Sequence, residues 1–293
     1  MEEQERWQVR AAAWELIALS FRYPDDTLAK AVCSGEWVAA AREIAEALGC
    51  RSDFECDASR YFGDAVATEA AAIDFLHRLR AEATRLFVGA PAPVVSPYEG
   101  VWRAADDGVQ ALLFVSPHTM EVERFMRECG FVRPETENEP LDHIATEAEL
   151  MEHLALRAAG IEAASEGYGV GFPDQHVVDD PNADRLDQQV ADDPNDDQLD
   201  RPAAGDPSIH CPGQLIAADF PSKSAAAYNH FLATHLLSWA PRFAAAVVEE
   251  STSPFYRTAA TFLVTILNEA KGATDIAADF MGEYRNVFEE LAK

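Results

Sequence analysis

The stretch ENEPLDHIATEAELMEHL, residues 137–154, combines helical periodicity with a high density of ionisable side chains. Apolar residues recur every three or four positions, which predicts an amphipathic helix. Pro140 stops the preceding segment and favours a helix start just after it. The acidic residues Glu139 and Asp142 complement the partial positive charge of a helix N-terminus. This capping account leaves His143 unexplained, because a cation is disfavoured in the first turn.

Helical periodicity also dominates the rest of the chain. Alternating apolar and polar runs with Asn-Gly or Asp-Gly turns are missing, which predicts an all-α fold. Ser116 and Pro117 are typical of a helix start, and Gly130 is typical of its end. The segment VGAPAPVVSPYEGVW, residues 88–102, is rich in Pro and Gly and predicts a loop. Helices are predicted over residues 7–21, 35–49, 56–87 (one broken helix or two), 116–130, 222–239, 254–271 and 274–292.

An acidic segment separates the predicted helices into two groups. Residues 172–207 hold eleven Asp and five Pro, a composition typical of disorder. Within it, DDPNADRLD (179–187) recurs as DDPNDDQLD (192–200), but two copies are too few for a solenoid. The repeat lacks the central Gly and the closing Glu of a calcium-binding EF-hand loop. We therefore predict a single helical-bundle domain, formed by residues 1–171 and 208–293, with a disordered insertion.

The net charge limits the kinds of molecule that the protein is expected to bind. The 293 residues include 51 acidic and 23 basic side chains, which give a formal net charge of −28. That charge repels nucleic-acid phosphate and anionic lipid, and it attracts cationic ligands. The N-terminal MEEQERWQVR lacks the pattern of an export signal, and no uninterrupted apolar run approaches the length of about 20 residues that a membrane-spanning helix needs. Five scattered cysteines without a Cys-x-x-Cys pair predict reduced thiols. We expect a cytoplasmic protein that binds no nucleic acid and is not stably inserted in a membrane.

Histidine and carboxylate spacing in the opening stretch permits another interpretation. His143 and Glu147 lie four residues apart, as do Glu149 and His153, but the two pairs face different sides of a helix. One metal ion therefore cannot bind all four side chains. A helical metal-dependent hydrolase that uses His143 and neighbouring carboxylates is an alternative function. A third interpretation is an acidic scaffold whose Asp repeat is the functional part. The chain has no Gly-x-Ser-x-Gly elbow and no phosphate-binding glycine loop.

Four stretches, taken in order, match the sequence pattern of one family. LIALSFRYPDD (16–26) resembles that family's first helix and its Pro-Asp stop. RLFVGAPAPVVSPYEGVW (85–102) is similar to its Leu-Phe-x-Gly and Pro-Tyr-Glu-Ser elements, with Gly100 in place of Ser. MRECGFVRPETENEPLDHIATEAELMEHL (126–154) resembles its Gly-Phe and Glu-Pro-x-Asp-His signature. HLLSWAPRF (235–243), followed by FYRTAATFL, resembles its C-terminal His-Leu-x-x-Trp-x-Pro and Phe-Tyr elements. The chain thus resembles the TorD/DmsD/NarJ family of redox-enzyme maturation chaperones, closest to its TorD-like members.

The resemblance implies an all-helical cytoplasmic chaperone that is not an enzyme and needs no cofactor of its own. Such chaperones hold the precursor of the catalytic subunit of a molybdopterin-dependent reductase while its cofactor is inserted. Many also bind the precursor's twin-arginine leader before export. A leader with two guanidinium groups and an apolar stretch requires carboxylates beside a hydrophobic groove.

We expect the leader-binding surface at the matched loop and at the start of the matched helix. The exposed side of residues 141–154 would supply the groove, together with the loop aromatics. Replacing Asp142 or His143 by Ala should weaken leader binding without unfolding the protein. The predicted peptide-binding residues are Pro97, Tyr98, Glu99, Trp102, Glu139, Pro140, Asp142, His143 and Glu147.

Overall fold

The all-α prediction is confirmed over the residues that the structure describes. This structure, a computed structural model, describes residues 1–50, 69–90, 92–108, 116–131, 140–161 and 220–291, with side chains at 222–272 of the last segment. No strand occurs within these ranges beyond a single bridged residue pair. The predicted insertion at 172–207, with its two repeats, lies outside the described residues.

Ten α-helices and two π-helical turns make up the described ranges. The helices are α1 (Glu3–Phe21), α2 (Asp26–Ser34), α3 (Glu36–Ala47), α4 (Glu69–Ala83), α5 (Glu99–Asp106), α6 (Pro117–Glu128), α7 (Ile144–Ala158), α8 (Phe220–Phe231), α9 (Leu237–Glu250) and α10 (Pro254–Leu291). One π-helical turn, Thr84–Val88, extends α4, and the other, Leu232–Leu236, joins α8 to α9.

Several helix boundaries follow from local sequence signals. The Asp25 side chain accepts a hydrogen bond from the Leu28 amide at 2.9 Å and caps α2. Ser116 caps α6 through the His118 amide, as predicted, and Pro117 occupies the first turn. Gly130 follows α6 with a φ of 76°, a conformation that glycine adopts without steric cost. Capping chemistry therefore sets the ends of these helices.

Two predicted boundaries were wrong. Helix α5 begins at Glu99, inside the segment predicted as a loop, because the Glu99 amide is held by a backbone hydrogen bond to the Asp142 carbonyl at 2.9 Å. The second error concerns 254–271 and 274–292, which form one continuous helix, α10. A single Gly272 costs about 1 kcal/mol of helix propensity, which is too little to end a long helix.

Helix α7 is the centre of the fold. Helix α1 packs along one side of it and α8 along another, so both polar and apolar residues of α7 are buried. Helices α9 and α10 form a neighbouring pair, and α2 packs on α4. Trp14 Nε1 donates a hydrogen bond to the Tyr228 hydroxyl at 2.8 Å and ties α1 to α8 inside the core. The largest fully buried side chains are Trp14, Trp37, Trp239, Tyr228, Tyr256, Phe231, Phe243, Phe255, Phe262, Ile17, Leu28 and Leu79.

One described helical stretch, Ser222–Glu250, is long and apolar enough to cross a membrane by length and composition alone. Its apolar residues Phe231, Trp239 and Phe243 are fully buried in the protein core. Half of its most apolar window is buried within the protein.

Candidate functional site

The loop before α5 and the residues before α7 form a short antiparallel bridge. The Ile144 amide donates to the Pro97 carbonyl at 2.9 Å, and the Glu99 amide donates to the Asp142 carbonyl at the same distance. Between these two bonds, Tyr98 faces His143. The structure therefore brings together two segments that lie more than 40 residues apart and that both carry predicted binding residues.

Asp142 joins three helices through its side chain. It is 1% exposed, and its Oδ2 accepts hydrogen bonds from the Gly100 amide at 2.8 Å and from the Thr119 hydroxyl at 2.9 Å. These bonds connect the start of α7 to the first turns of α5 and α6. Burial raises the pKa of Asp142 above its ordinary value, although both hydrogen bonds act in the opposite direction.

Gly100 permits the close approach of α5 to α6 and α7. A Cβ atom at this position would lie 2.9 Å from Asp142 Oδ2, 2.9 Å from Thr119 Oγ1 and 3.0 Å from Ser116 Cβ. Those distances are shorter than van der Waals contact, so a side chain here requires the junction to open. The absence of a side chain at Gly100 therefore leaves room for its amide to bond directly to Asp142.

His143 is the N-cap of α7. Its Nδ1 accepts a hydrogen bond from the Ala145 amide at 3.1 Å, which requires that nitrogen to carry no proton. The imidazole ring packs edge-on against Tyr98, with ring centroids 5.2 Å apart. The histidine thus caps the helix as an uncharged acceptor at Nδ1, which resolves the conflict between a cation and the helix dipole.

Glu99 lies at the start of α5 and is fully buried. Arg103 Nη1 donates to its Oε1 at 2.8 Å, and His235 Nδ1 lies 2.9 Å from its Oε2. His235 belongs to the π-helical turn between α8 and α9, and its ring stacks on Phe231 with centroids 4.6 Å apart. This contact links the loop motif to the C-terminal helices.

Glu147 lies one turn into α7 and is also fully buried. Trp239 Nε1 of α9 donates to its Oε2 at 3.2 Å. Burial raises the pKa of Glu147 well above its ordinary value, and the neighbouring charges of Glu99 and Asp142 raise it further. Burial of this site therefore favours the neutral form of the Glu147 side chain.

A comparison with known protein families relates part of this chain to one of them. Residues 36–178 match the family model described as nitrate reductase delta subunit. That family is a member of the TorD/DmsD/NarJ group of redox-enzyme maturation chaperones, and the chain is similar to it over those residues. The nitrate reductase delta family is a family of molybdoenzyme maturation chaperones rather than enzymes, and it acts on precursors of nitrate reductase catalytic subunits. The TorD-like affiliation stays a prediction. No curated protein matches the chain.

The match to the delta-subunit family covers both bridged segments but ends before the C-terminal helices. His235 and Trp239, which contact the buried acids from α9 and the turn before it, lie beyond residue 178. They occupy the His-Leu-x-x-Trp element of the group's pattern, so a sequence signal for them existed. Thr119 was missed, because a helical threonine carries no local mark of a buried hydrogen bond.

The predicted binding residues divide by exposure. Pro97, Glu99, Asp142 and Glu147 are buried, whereas Tyr98, Trp102, Pro140 and His143 are partly exposed. Trp102 lies in α5, its Nε1 donates to the Ser96 carbonyl at 2.8 Å, and the Arg242 guanidinium lies 5.7 Å from the ring centroid. Glu139 lies outside the described residues. The peptide-binding role of these residues stays a prediction.

The predicted groove along residues 141–154 was wrong. From Ile144 to Met151 every residue of α7 is buried, because α1 and α8 cover the helix. Its amphipathic pattern is a pattern of core contacts with a few internal polar bonds. The stretch from Ile144 to Met151 therefore offers no exposed apolar surface to a peptide.

The two His-Glu pairs of the hydrolase alternative have structural partners. Glu149 forms an ion pair with Arg22, and the His153 ring packs edge-on against Phe131. Burial lowers the pKa of His153 to about 4, with a further contribution from the Arg157 charge. Within the described ranges, no group of three or more His, Cys, Asp or Glu side chains is arranged to hold a metal ion.

Proposed function

We propose that this chaperone binds the precursor of a molybdopterin-dependent reductase catalytic subunit in the cytoplasm, and that it recognises the precursor's twin-arginine leader before export. The match to the delta-subunit family supports the class of client. Members of the family are soluble cytoplasmic chaperones, which supports the location. The leader is a finer proposal and rests on the site described above.

The observation that carries the leader proposal is the partly exposed bridge surface, defined as Tyr98, Trp102, Pro140, Leu141 and His143. These apolar and aromatic side chains sit on a junction fixed by backbone and side-chain hydrogen bonds, so they are held in one geometry. Aromatic side chains on a rigid support are the residues most enriched at binding hot spots.

Electrostatics complements the bridge surface. The net charge of −28 attracts a leader with two arginines and increases the rate of encounter. The buried carboxyl groups of Glu99, Asp142 and Glu147 do not face solvent in this structure, so their role in the proposal is to position the surface. Exposed acids around the bundle supply the attraction.

The test is a calorimetric titration with a synthetic twin-arginine leader taken from a reductase encoded beside this gene. We expect binding that weakens with added salt, because the long-range attraction is screened. A peptide with both arginines replaced by glutamine should bind less tightly, since it loses the long-range attraction to the acidic protein.

A matched pair of variants assigns the surface. Trp102→Ala should weaken binding by about tenfold, the effect of truncating one moderate hot spot. Tyr23→Ala removes an exposed aromatic residue that follows α1 and contacts Arg80 of α4, and it should leave affinity unchanged. Equal affinity of the Trp102 variant and the wild type would exclude the bridge surface as the docking site.

A further inference from the structure

Three carboxyl groups meet in the interior behind the bridge. Glu99 and Glu147 are 0% exposed and Asp142 is 1% exposed. We call these residues the carboxyl cluster. It lies where α5, the start of α7 and α9 come together, directly beneath the Tyr98–His143 bridge. Buried carboxylates in proteins are normally paired with donors or cations, so the supply of partners decides their state.

The donors around the carboxyl cluster are unevenly distributed. Asp142 Oδ2 accepts two hydrogen bonds, and Glu99 contacts Arg103 and His235. Glu147 receives a single long bond from Trp239 at 3.2 Å. Asp142 Oδ1 and Glu147 Oε1 are buried with no hydrogen-bonded donor among the described residues. Three acids therefore share one arginine and one histidine.

An ionised Glu147 would be poorly solvated in this position. Its carboxylate would have one neutral donor and would be repelled by the two other acids, whereas a neutral carboxyl group gains a hydrogen that it can donate. The charged groups that act on it are Glu99 of α5 and Asp142 before α7, and Glu99 in turn contacts Arg103 of α5 and His235 of the π-helical turn. The direction of the pKa shift agrees with this geometry.

Opening of the bridge would lower the free-energy cost of ionising Glu147. If the 95–100 segment separated from the start of α7, water would reach the carboxyl cluster, and a carboxylate at Glu147 would be hydrated. The bonds that would break are the two backbone bonds of the bridge and the contact of Asp142 with the Gly100 amide. Proton loss to water and opening of the bridge are therefore coupled.

We propose that the carboxyl cluster is a proton-dependent latch, in which the 95–100 segment stays on the start of α7 while Glu147 carries a proton and is released when that proton is lost to solvent. Release exposes the buried side of the bridge surface. The latch is a property of the chaperone alone and goes beyond the proposed leader binding, so it is tested without any peptide.

The first experiment is amide hydrogen exchange of the full chain as a function of pH, corrected for the intrinsic rate of exchange. When opening releases one proton, the opening constant of amides in segments 95–101 and 142–147 rises about tenfold per pH unit, between the ordinary pKa and the raised pKa of the carboxyl group. In Glu147→Gln, a neutral side chain of the same size, this tenfold dependence should be lost, and only the smaller contribution of Asp142 should remain.

Glu152→Gln is the matched control. Glu152 lies on the same helix, and burial raises its pKa to about 7, but its neighbours are Glu15, Arg22 and Glu149 rather than the carboxyl cluster. This variant should retain the tenfold dependence of the wild type at the bridge. A wild type without pH dependence there, or a Glu147→Gln variant that keeps it, would overturn the latch. Loss of the dependence in Asp142→Asn but not in Glu147→Gln would overturn the assignment to Glu147.

A second measurement tests the latch without the Glu147→Gln variant, in case that variant fails to fold. Infrared spectroscopy of the Glu152→Gln protein, labelled with carbon-13 glutamate, detects the carbonyl stretch of a neutral glutamic acid as the pH rises above the ordinary value of 4.5. The latch requires one such band, which disappears as the bridge amides lose protection. Absence of the band while the bridge remains protected would contradict it.

Discussion

Two junctions in this protein bury acidic side chains between helices and differ in how many donors they provide. At the first junction, Glu82 of α4 accepts two hydrogen bonds from Arg85, one from the Ser251 hydroxyl and one from the Thr252 amide. These bonds lower the pKa of Glu82 to about 2, with the Arg85 bonds as the largest cause. At the second junction, the carboxyl cluster has more acids than cations, and burial raises the pKa of Asp142 and of Glu147.

The two junctions differ in how many hydrogen-bond donors are available for each carboxyl group. One carboxylate surrounded by donors is a fixed ionic connection that holds α4 to the turn between α9 and α10. Three carboxyl groups with few donors form a connection that depends on a bound proton. The two junctions should therefore respond to pH in opposite directions.

The largest expected effect is at the fully bonded junction. Glu82→Ala removes four hydrogen bonds and leaves the Arg85 guanidinium without its carboxylate, so we expect a loss of about 3 kcal/mol in the free energy of unfolding at pH 7. Denaturant unfolding measures it. Because the pKa of Glu82 is lowered, its contribution is present above the ordinary value near 4.5 and is lost as the pH falls toward about 2.

The exposed ion pair between Glu123 and Arg127 provides the control for that prediction. Glu123→Ala should change the free energy of unfolding by no more than about 0.5 kcal/mol, because surface pairs contribute little. A Glu82→Ala effect as small as the Glu123→Ala effect would mean that the first junction is not a fixed connection.

A smaller effect is expected from adding a methyl group at the second junction. Gly100→Ala places a Cβ within 3.0 Å of three atoms, so the junction must open, and we expect a loss of about 2 kcal/mol in unfolding free energy. Gly272→Ala is the matched control, since a Cβ there meets no atom within 4 Å. That variant should gain about 1 kcal/mol of helix propensity. Stabilisation by both substitutions would contradict the close approach at Gly100.

The smallest expected effect comes from removing one donor of Asp142. Thr119→Val deletes the hydroxyl that bonds to Asp142 Oδ2, and we expect a loss of about 1.5 kcal/mol, typical of a hydrogen bond to a charged group. Thermal or denaturant unfolding measures it. Thr261→Val removes a hydroxyl that bonds only within the exposed side of its own helix and should change stability by less than about 0.5 kcal/mol. Equal effects would show that Asp142 does not depend on its donors.

Local signals in the sequence predicted much of the fold. The period of apolar residues located α1, α3, α6 and the start of α10, and Ser116 marked its helix start correctly. The errors arose where a tertiary contact determined the helix boundary. Glu99 begins a helix because a distant carbonyl holds its amide, and no property of the surrounding Pro-rich segment indicates that bond.

The candidate site was predicted in part. The sequence pattern pointed to the two segments that meet at the bridge, and it included His235 and Trp239 within a family element. It did not predict that Glu99, Asp142 and Glu147 are enclosed, because acidic side chains are exposed in most helices. Their burial also revises the expectation for Asp142→Ala, which should now cost stability, since the Gly100 amide would lose its acceptor.

The amino-acid sequence by itself determined the helical class, the acidic character and the resemblance to a chaperone group, since these depend on composition, on period and on short ordered motifs. The tertiary structure alone decided which acids lie inside and which partners they have. Burial depends on the helices that flank a residue, and α1, α8 and α9 come from parts of the chain far from α7. For this reason Asp142 and Glu147, which suggested a surface in the sequence, belong to an internal junction in the folded protein.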